Sequence, residues 1–112
     1  QLAKKIHTIV RLFPRQEFVI ADQMWRAALS IPSNIAEGFS RKSMKENGQF
    51  ISIAFGSSSE LETQLLLATE LGLLKEVNAR ELMSLLEEVR KMLNTLLSRF
   101  RPRSTNGFRS NG

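Results

Sequence analysis

The sequence predicts an all-α fold, an antiparallel up-and-down four-helix bundle, and three observations predict it. Apolar residues recur at three- and four-residue steps in four successive segments, the period of a helix with one buried face. No segment alternates apolar and polar residues as a half-buried strand does. The connections between segments are short, which sets consecutive helices side by side and antiparallel. A chain of 112 residues, 42% of them hydrophobic, supports one core. The organisation expected is therefore a bundle over residues 1–100 and a basic C-terminal tail over 101–112.

The first helix is marked by Leu2, Ile6, Ile9, Val10 and Phe13 and must end where Pro14 cannot continue it. Pro14, with Glu17 three residues on, suits the first turn of a second helix, because proline presets φ and a carboxylate meets the positive end of the dipole. Phe18, Ala21, Trp25, Ala28, Ile31 and Ile35 form its buried stripe, which closes near Gly38. After the polar turn Ser40, Arg41, Lys42, the pair Ser43 and Glu46 is a capping-box pattern opening helix three. Phe50, Ala54, Ser57, Leu61, Gln64 or Leu65, Ala68 and Leu71 carry its stripe until Gly72 offers a left-handed stop. At about 1.5 Å per residue this helix is about 40 Å long. Helix four is expected to begin between residues 77 and 80, with Asn78 as N-cap, and to run through Leu82, Leu85, Leu86, Val89, Met92, Leu93, Leu96 and Leu97 to Phe100 before Pro102 ends it.

Composition excludes several classes. With no cysteine there is neither a disulfide framework nor a thiolate metal site. No apolar run approaches the roughly 18 residues a membrane span requires, and the first residues do not resemble a secretory leader. The chain reads as soluble and cytoplasmic, with no membrane partner. It opens on Gln1 rather than methionine, and a further helical turn is expected ahead of it. The surplus of apolar residues on helices two and three, among them Ile20, Met24, Ala27, Leu29, Ile51, Ile53, Phe55, Leu66 and Leu67, exceeds what one small core takes up, so part of it is expected to meet another subunit.

Net charge is +5, unevenly distributed: +5 over residues 1–45, −6 over 46–88 and +6 over 89–112. An acidic middle between two basic segments can pair within one fold or between copies of it, or simply mark solvated helix faces. Arg90, Lys91, Arg99, Arg101, Arg103 and Arg109 gather at the end of helix four and in the tail. Repeated around an oligomer they give a potential that attracts phosphates. Only Phe100 and Phe108 offer stacking surfaces there, so contact with RNA or DNA is expected to be backbone-directed. The competing reading is arginines that stabilise a helix C-terminus and a tail that aids solubility.

One stretch of helix two, S-I-P-S-N-I-A-E-G at 30–38, sets a breaker and polar groups inside an apolar pattern. Pro32 removes one helical hydrogen bond and presses on the carbonyl of Ala28, so a kink or short break is expected. Helix three is narrow at Gly56, Ser57, Ser58 and Ser59, with Glu60 following. Ser30, Ser33 and Asn34 suit the freed backbone groups or a recapping of the helix. Small side chains allow close approach, so Asn34 or Glu37 is expected to hydrogen-bond Ser57 or Glu60, in a structural polar network that also includes Ser30 and Pro32. Its alternatives are an interface role and a ligand or catalytic site.

Q-M-W-R-A-A-L-S-I-P-S-N-I-A-E-G at 23–38, Arg41, I-A-F-G-S-S-S-E-L-E-T-Q-L at 53–65 and E-L-G-L-L at 70–74 resemble the four-helix-bundle family named for the intervening sequences of bacterial 23S ribosomal RNA genes. The family in turn resembles the accessory variability determinant protein of diversity-generating retroelements. The resemblance implies a ring-forming homo-oligomer, typically a pentamer, with a basic surface that in the retroelement branch engages a reverse transcriptase and nucleic acid. The tail beyond Phe100 lies outside the pattern that carries it.

A catalytic reading finds little to build on. Glu37, Glu60 and Glu62 could be imagined as paired carboxylates or metal ligands, but a di-metal bundle uses Glu-x-x-His repeats and the sole histidine is His7. No H-E-x-x-H, Walker loop or G-x-G-x-x-G occurs, and a serine of the Gly56 segment lacks a histidine base. The sequence therefore reads as a non-enzymatic protein without metal or cofactor. Two functions remain: an oligomeric nucleic-acid-binding accessory factor, or a protein–protein scaffold whose basic charge is incidental.

Overall fold

The computed structural model describes residues 1–100; the tail, and with it Arg101, Arg103 and Arg109, lies outside the described residues. Four helices follow in order: α1 (Leu2–Val10), α2 (Phe18–Ser40), α3 (Met44–Glu70) and α4 (Glu76–Phe100), with a 3-10 turn, Arg15–Glu17, ahead of α2. Among the described residues there is no strand, and no helix is long and apolar enough to cross a membrane.

The helix boundaries follow local chemistry, with two shifts from expectation. Pro14 is extended (φ −57°, ψ 150°) and its carbonyl accepts the Glu17 N–H at 2.9 Å, so the chain makes one tight turn before α2 opens at Phe18 rather than at Pro14. At the far end of α3, Gly72 takes φ +76°, its N–H reaches the Thr69 carbonyl and the Leu73 N–H the Ala68 carbonyl, at 3.0 and 2.9 Å. This Schellman closure reverses the chain so quickly that α4 restarts at Glu76. The Lys75 carbonyl receives the Ala79 N–H, and Asn78 lies inside the first turn instead of capping it. Ser43 caps α3 as the sequence predicts, its Oγ accepting the Glu46 N–H at 3.1 Å.

Pro32 does not interrupt α2, so the short break expected as one alternative does not occur: the helix is continuous from Phe18 to Ser40. The proline ring faces solvent. One turn on, Asn34 Nδ2 donates to the Ser30 carbonyl at 2.9 Å, tying together the turn that contains Pro32.

The core is Ile6, Met24, Ile31, Ile51, Leu61, Leu65, Leu82, Leu86 and Leu93, with Ala27, Ala28, Ala54 and Ala68 where helices approach closely. Each large aliphatic buried contributes about 1.5–3 kcal/mol. Ser30 meets Ser57 and Gly38 meets Ile51, while Arg90 meets Ser58 and Ser59 and Phe100 meets Gly48. Rising numbers on one helix thus match falling numbers on the next, and both pairs, α2 with α3 and α3 with α4, run antiparallel. The short α1 touches both α2 and α4: the His7 ring packs against Trp25, tilted by 54° with centroids 4.9 Å apart, and Lys5 pairs with Glu81 at 3.0 Å.

The apolar surplus divides. Met24, Ala27 and Ile51 are core, and Ile20 and Phe55 are half-buried against it. Leu29, Ile53, Leu66 and Leu67 remain exposed and are joined by Phe18, Val19 and Leu71.

Candidate nucleic-acid interface

One end of the bundle gathers cations from three elements, all but Arg41 without an ion-pair partner among the described residues. The α2–α3 turn supplies Arg41 and Lys42, the first turn of α3 supplies Lys45, and the last turn of α4 supplies Arg99. Aromatic packing brings α4 to this turn: Phe100 meets Phe39 edge-on at 5.9 Å, and its backbone carbonyl lies within 3.5 Å of where a Cβ on Gly48 would stand. No carboxylate of the described residues lies within ion-pair reach of Lys42, Lys45, Lys91 or Arg99. Sequence reasoning missed Lys42 and Lys45, whose signal is the R-K-S-M-K run beside the Ser43 cap.

The turn carrying these cations is held firmly. Asn47 Nδ2 donates to the Gly38 carbonyl and, at 2.9 Å, to the Arg41 carbonyl, while Ser40 Oγ donates to the Glu37 carbonyl at 2.7 Å. Gly38 is required by close approach: an added Cβ stands 3.2 Å from the Asn47 carbonyl oxygen and 3.2 Å from Ile51 Cδ1. Arg41 pairs with Glu37 across one helical turn and lies over the Phe50 ring at 4.9 Å. Its guanidinium is thereby oriented, yet its side chain keeps 41% of its surface exposed. Such a rigid array of cations suits the spaced charges of a phosphate backbone.

The remaining sequence candidates divide. Lys91 is exposed on α4, about 12 Å along the axis from Arg99. Arg90, expected on the nucleic-acid surface, turns into the fold instead. Its Nη1 donates to Ser59 Oγ at 2.8 Å and Ser58 Oγ at 3.2 Å, and the guanidinium stands 4.5 Å from the Phe55 ring centroid with Glu62 3.9 Å away. Small side chains at residues 57–59 leave room for the arginine to cross onto α3; no charge count along the sequence carries that information.

The polar network forms in a smaller version than expected. Ser30 Oγ is its hub, accepting from Ser57 Oγ at 2.7 Å and from Asn34 Nδ2 at 2.9 Å. Glu37 is engaged with Arg41, Glu60 is exposed one turn past Ser57, and Pro32 faces solvent, so these three lie outside it. Ser30, Asn34 and Ser57 satisfy one another and pin α2 to α3, each bond contributing about 1 kcal/mol.

Away from the basic end, Val19, Ile20, Leu67 and Leu71 line a shallow apolar groove between the start of α2 and the end of α3. Gln64 lies in it with its Oε1 buried and without a hydrogen-bond donor.

A family model described as 23S rRNA-intervening sequence protein matches residues 1–95. The match takes in the turn with Arg41, Lys42 and Lys45 and stops short of Arg99. No curated protein matches the chain.

Proposed function

The chain belongs to the 23S rRNA-intervening sequence protein family, and from that premise we propose that it is a non-enzymatic, ring-forming homo-oligomer that binds RNA or DNA through its basic end. The resemblance to the retroelement accessory protein supplies the finer form of the reading: five copies in the ring, acting as an accessory factor to an RNA- or reverse-transcriptase-related process. The observation that carries nucleic-acid binding is the convergence of Arg41, Lys42, Lys45 and Arg99 on one rigid turn, with Arg101, Arg103 and Arg109 following in sequence. Repeated in an assembly, these charges add to a potential that releases counterions from phosphates. Binding is then indifferent to base sequence, since contacts to phosphate carry none of it.

The test is a salt titration of affinity for a single-stranded RNA and a duplex DNA. The logarithm of affinity is expected to fall with the logarithm of salt, by about 0.9 per phosphate neutralised on duplex and about 0.7 on single strands. Changing Arg99, Arg101 and Arg103 together to Ala is expected to flatten the slope. No binding to either at about 50 mM salt overturns the reading.

A second reading, a scaffold that engages protein alone, is favoured by a different observation: the exposed apolar side chains Phe18, Val19, Leu67 and Leu71 beside the unpaired Gln64 oxygen. A surface of this kind is covered in an assembly. Light scattering on a sizing column separates the parts of the proposal, since a monomer removes the ring from both readings while leaving the salt titration to decide on phosphate binding.

A further inference from the structure

The outer surface between the second half of α3 and the first half of α4 is a groove of about 890 Å³. Its floor is apolar, with Leu66 55% exposed and Met83 half-buried. Its rim is acidic: Glu62 and Glu70 from α3 face Glu76 and Glu87 from α4. The two arginines that also line it are already engaged, Arg80 with Glu76 at 3.7 Å and Arg90 with Ser58 and Ser59. Glu70 and Glu87 have no ion-pair partner among the described residues.

We propose that this groove is a docking site for a basic amphipathic helix of a different protein. The choice of occupant follows from charge and shape. Carboxylates on both walls repel a phosphate backbone, so the surface that takes nucleic acid and this one exclude each other's ligands. An apolar floor between acidic walls is complementary to a helix whose leucine-like residues recur at i, i+3, i+4 and i+7 and whose flanks carry Lys or Arg. The span from Glu62 to Glu70 along α3 is about 12 Å, two turns or so of a docked helix. A second copy of this chain offers no such face among the described residues. The basic helix α1 buries Leu2 and Ile6 in its own core, and the basic end of α4 does the same with Leu93. Residues 101–112 are basic but include one large apolar residue, Phe108, too few to fill the floor.

The proposal is tested on the full chain with a fluorescent Leu/Lys peptide of about 14 residues patterned as an amphipathic helix, beside a scrambled peptide of the same composition. The amphipathic peptide is expected to bind about tenfold tighter than the scrambled one. Leu66→Gln is expected to weaken it about fivefold, and Glu70→Gln with Glu87→Gln to weaken it further and reduce its salt dependence. All three sites are exposed, so melting temperatures of the variants should match the parent, and RNA affinity should not fall. Equal binding of the two peptides, or affinity unchanged in the variants, overturns the proposal. So does a Leu66→Gln chain that dissociates in light scattering without peptide, which gives the groove to a second copy. Competition by a peptide of residues 101–112 as strong as by the amphipathic peptide gives it to the chain's own tail and likewise overturns it.

Discussion

Residues 44–48 of α3 and residues 62–70 of the same helix have opposite surroundings. At the first, Lys45 lies beside Arg41, Lys42 and Arg99, and the packing is tight, with Gly38, Gly48 and Phe100 in close approach. At the second, Glu62 and Glu70 face Glu76 and Glu87 across an open groove with an exposed leucine in its floor. The segregation of charge along the sequence is therefore a segregation in space, along one helix about 40 Å long. Between the two regions sits Arg90, a cation at the edge of the groove that bonds Ser58 and Ser59 instead of joining the basic end. A cation's place in the sequence thus says less about its role than what its neighbours leave it to bond.

Variants can break or sharpen this contrast. The largest effect is expected from Arg90→Ala, which strips the Ser58 and Ser59 hydroxyls of their donor and removes the contact with Phe55. Loss of about 2–3 kcal/mol is expected in urea unfolding, with the salt slope for RNA unchanged; a flattened slope would return Arg90 to the phosphate surface. Gly38→Val forces carbon against the Asn47 carbonyl and Ile51, costing about 2 kcal/mol by the same measurement. Because it displaces the basic turn, it should also weaken RNA binding, which Arg90→Ala should not. Asn34→Ala removes two bonds to Ser30 and should cost about 1–2 kcal/mol, read as a lower melting temperature. An unchanged melting temperature would mean that the tie across the proline-bearing turn of α2 does not contribute to stability. The smallest effect has the opposite sign. Nothing stands within 4 Å of a Cβ added to Gly56, so Gly56→Ala should stabilise α3 by roughly 0.5–1 kcal/mol.

The class of fold, the four helical segments, the Ser43 cap and the Gly72 stop are legible in the sequence because each depends on residues within one or two turns. The start of α4 is misread at Asn78 because the Schellman closure at Gly72 reverses the chain early enough for the helix to begin at Glu76, ahead of that side chain. That a proline-bearing turn packs on a run of small residues is legible, but the bond across it is made by Ser30 to Ser57, where Asn34 or Glu37 is the expected partner. Glu37 is drawn away by Arg41, one turn on, once α2 continues past Gly38, and Glu60 points outward. These outcomes depend on helix rotation, which periodicity fixes only coarsely. Lys42 and Lys45 escape a reading based on charge density near the C-terminus, because Phe39, Gly48 and Phe100 create their proximity to Arg99 through packing across residues distant in sequence.

The central claim is that phosphate affinity resides at the basic end formed by the α2–α3 turn and the last turn of α4. The salt dependence of RNA binding by the full chain, compared with Lys42→Ala, Lys45→Ala, Arg99→Ala in combination, tests it most directly. Three lost contacts to a single strand are expected to reduce the slope of log affinity against log salt by about 2, with the melting temperature unchanged. A slope identical to that of the parent chain would contradict the account.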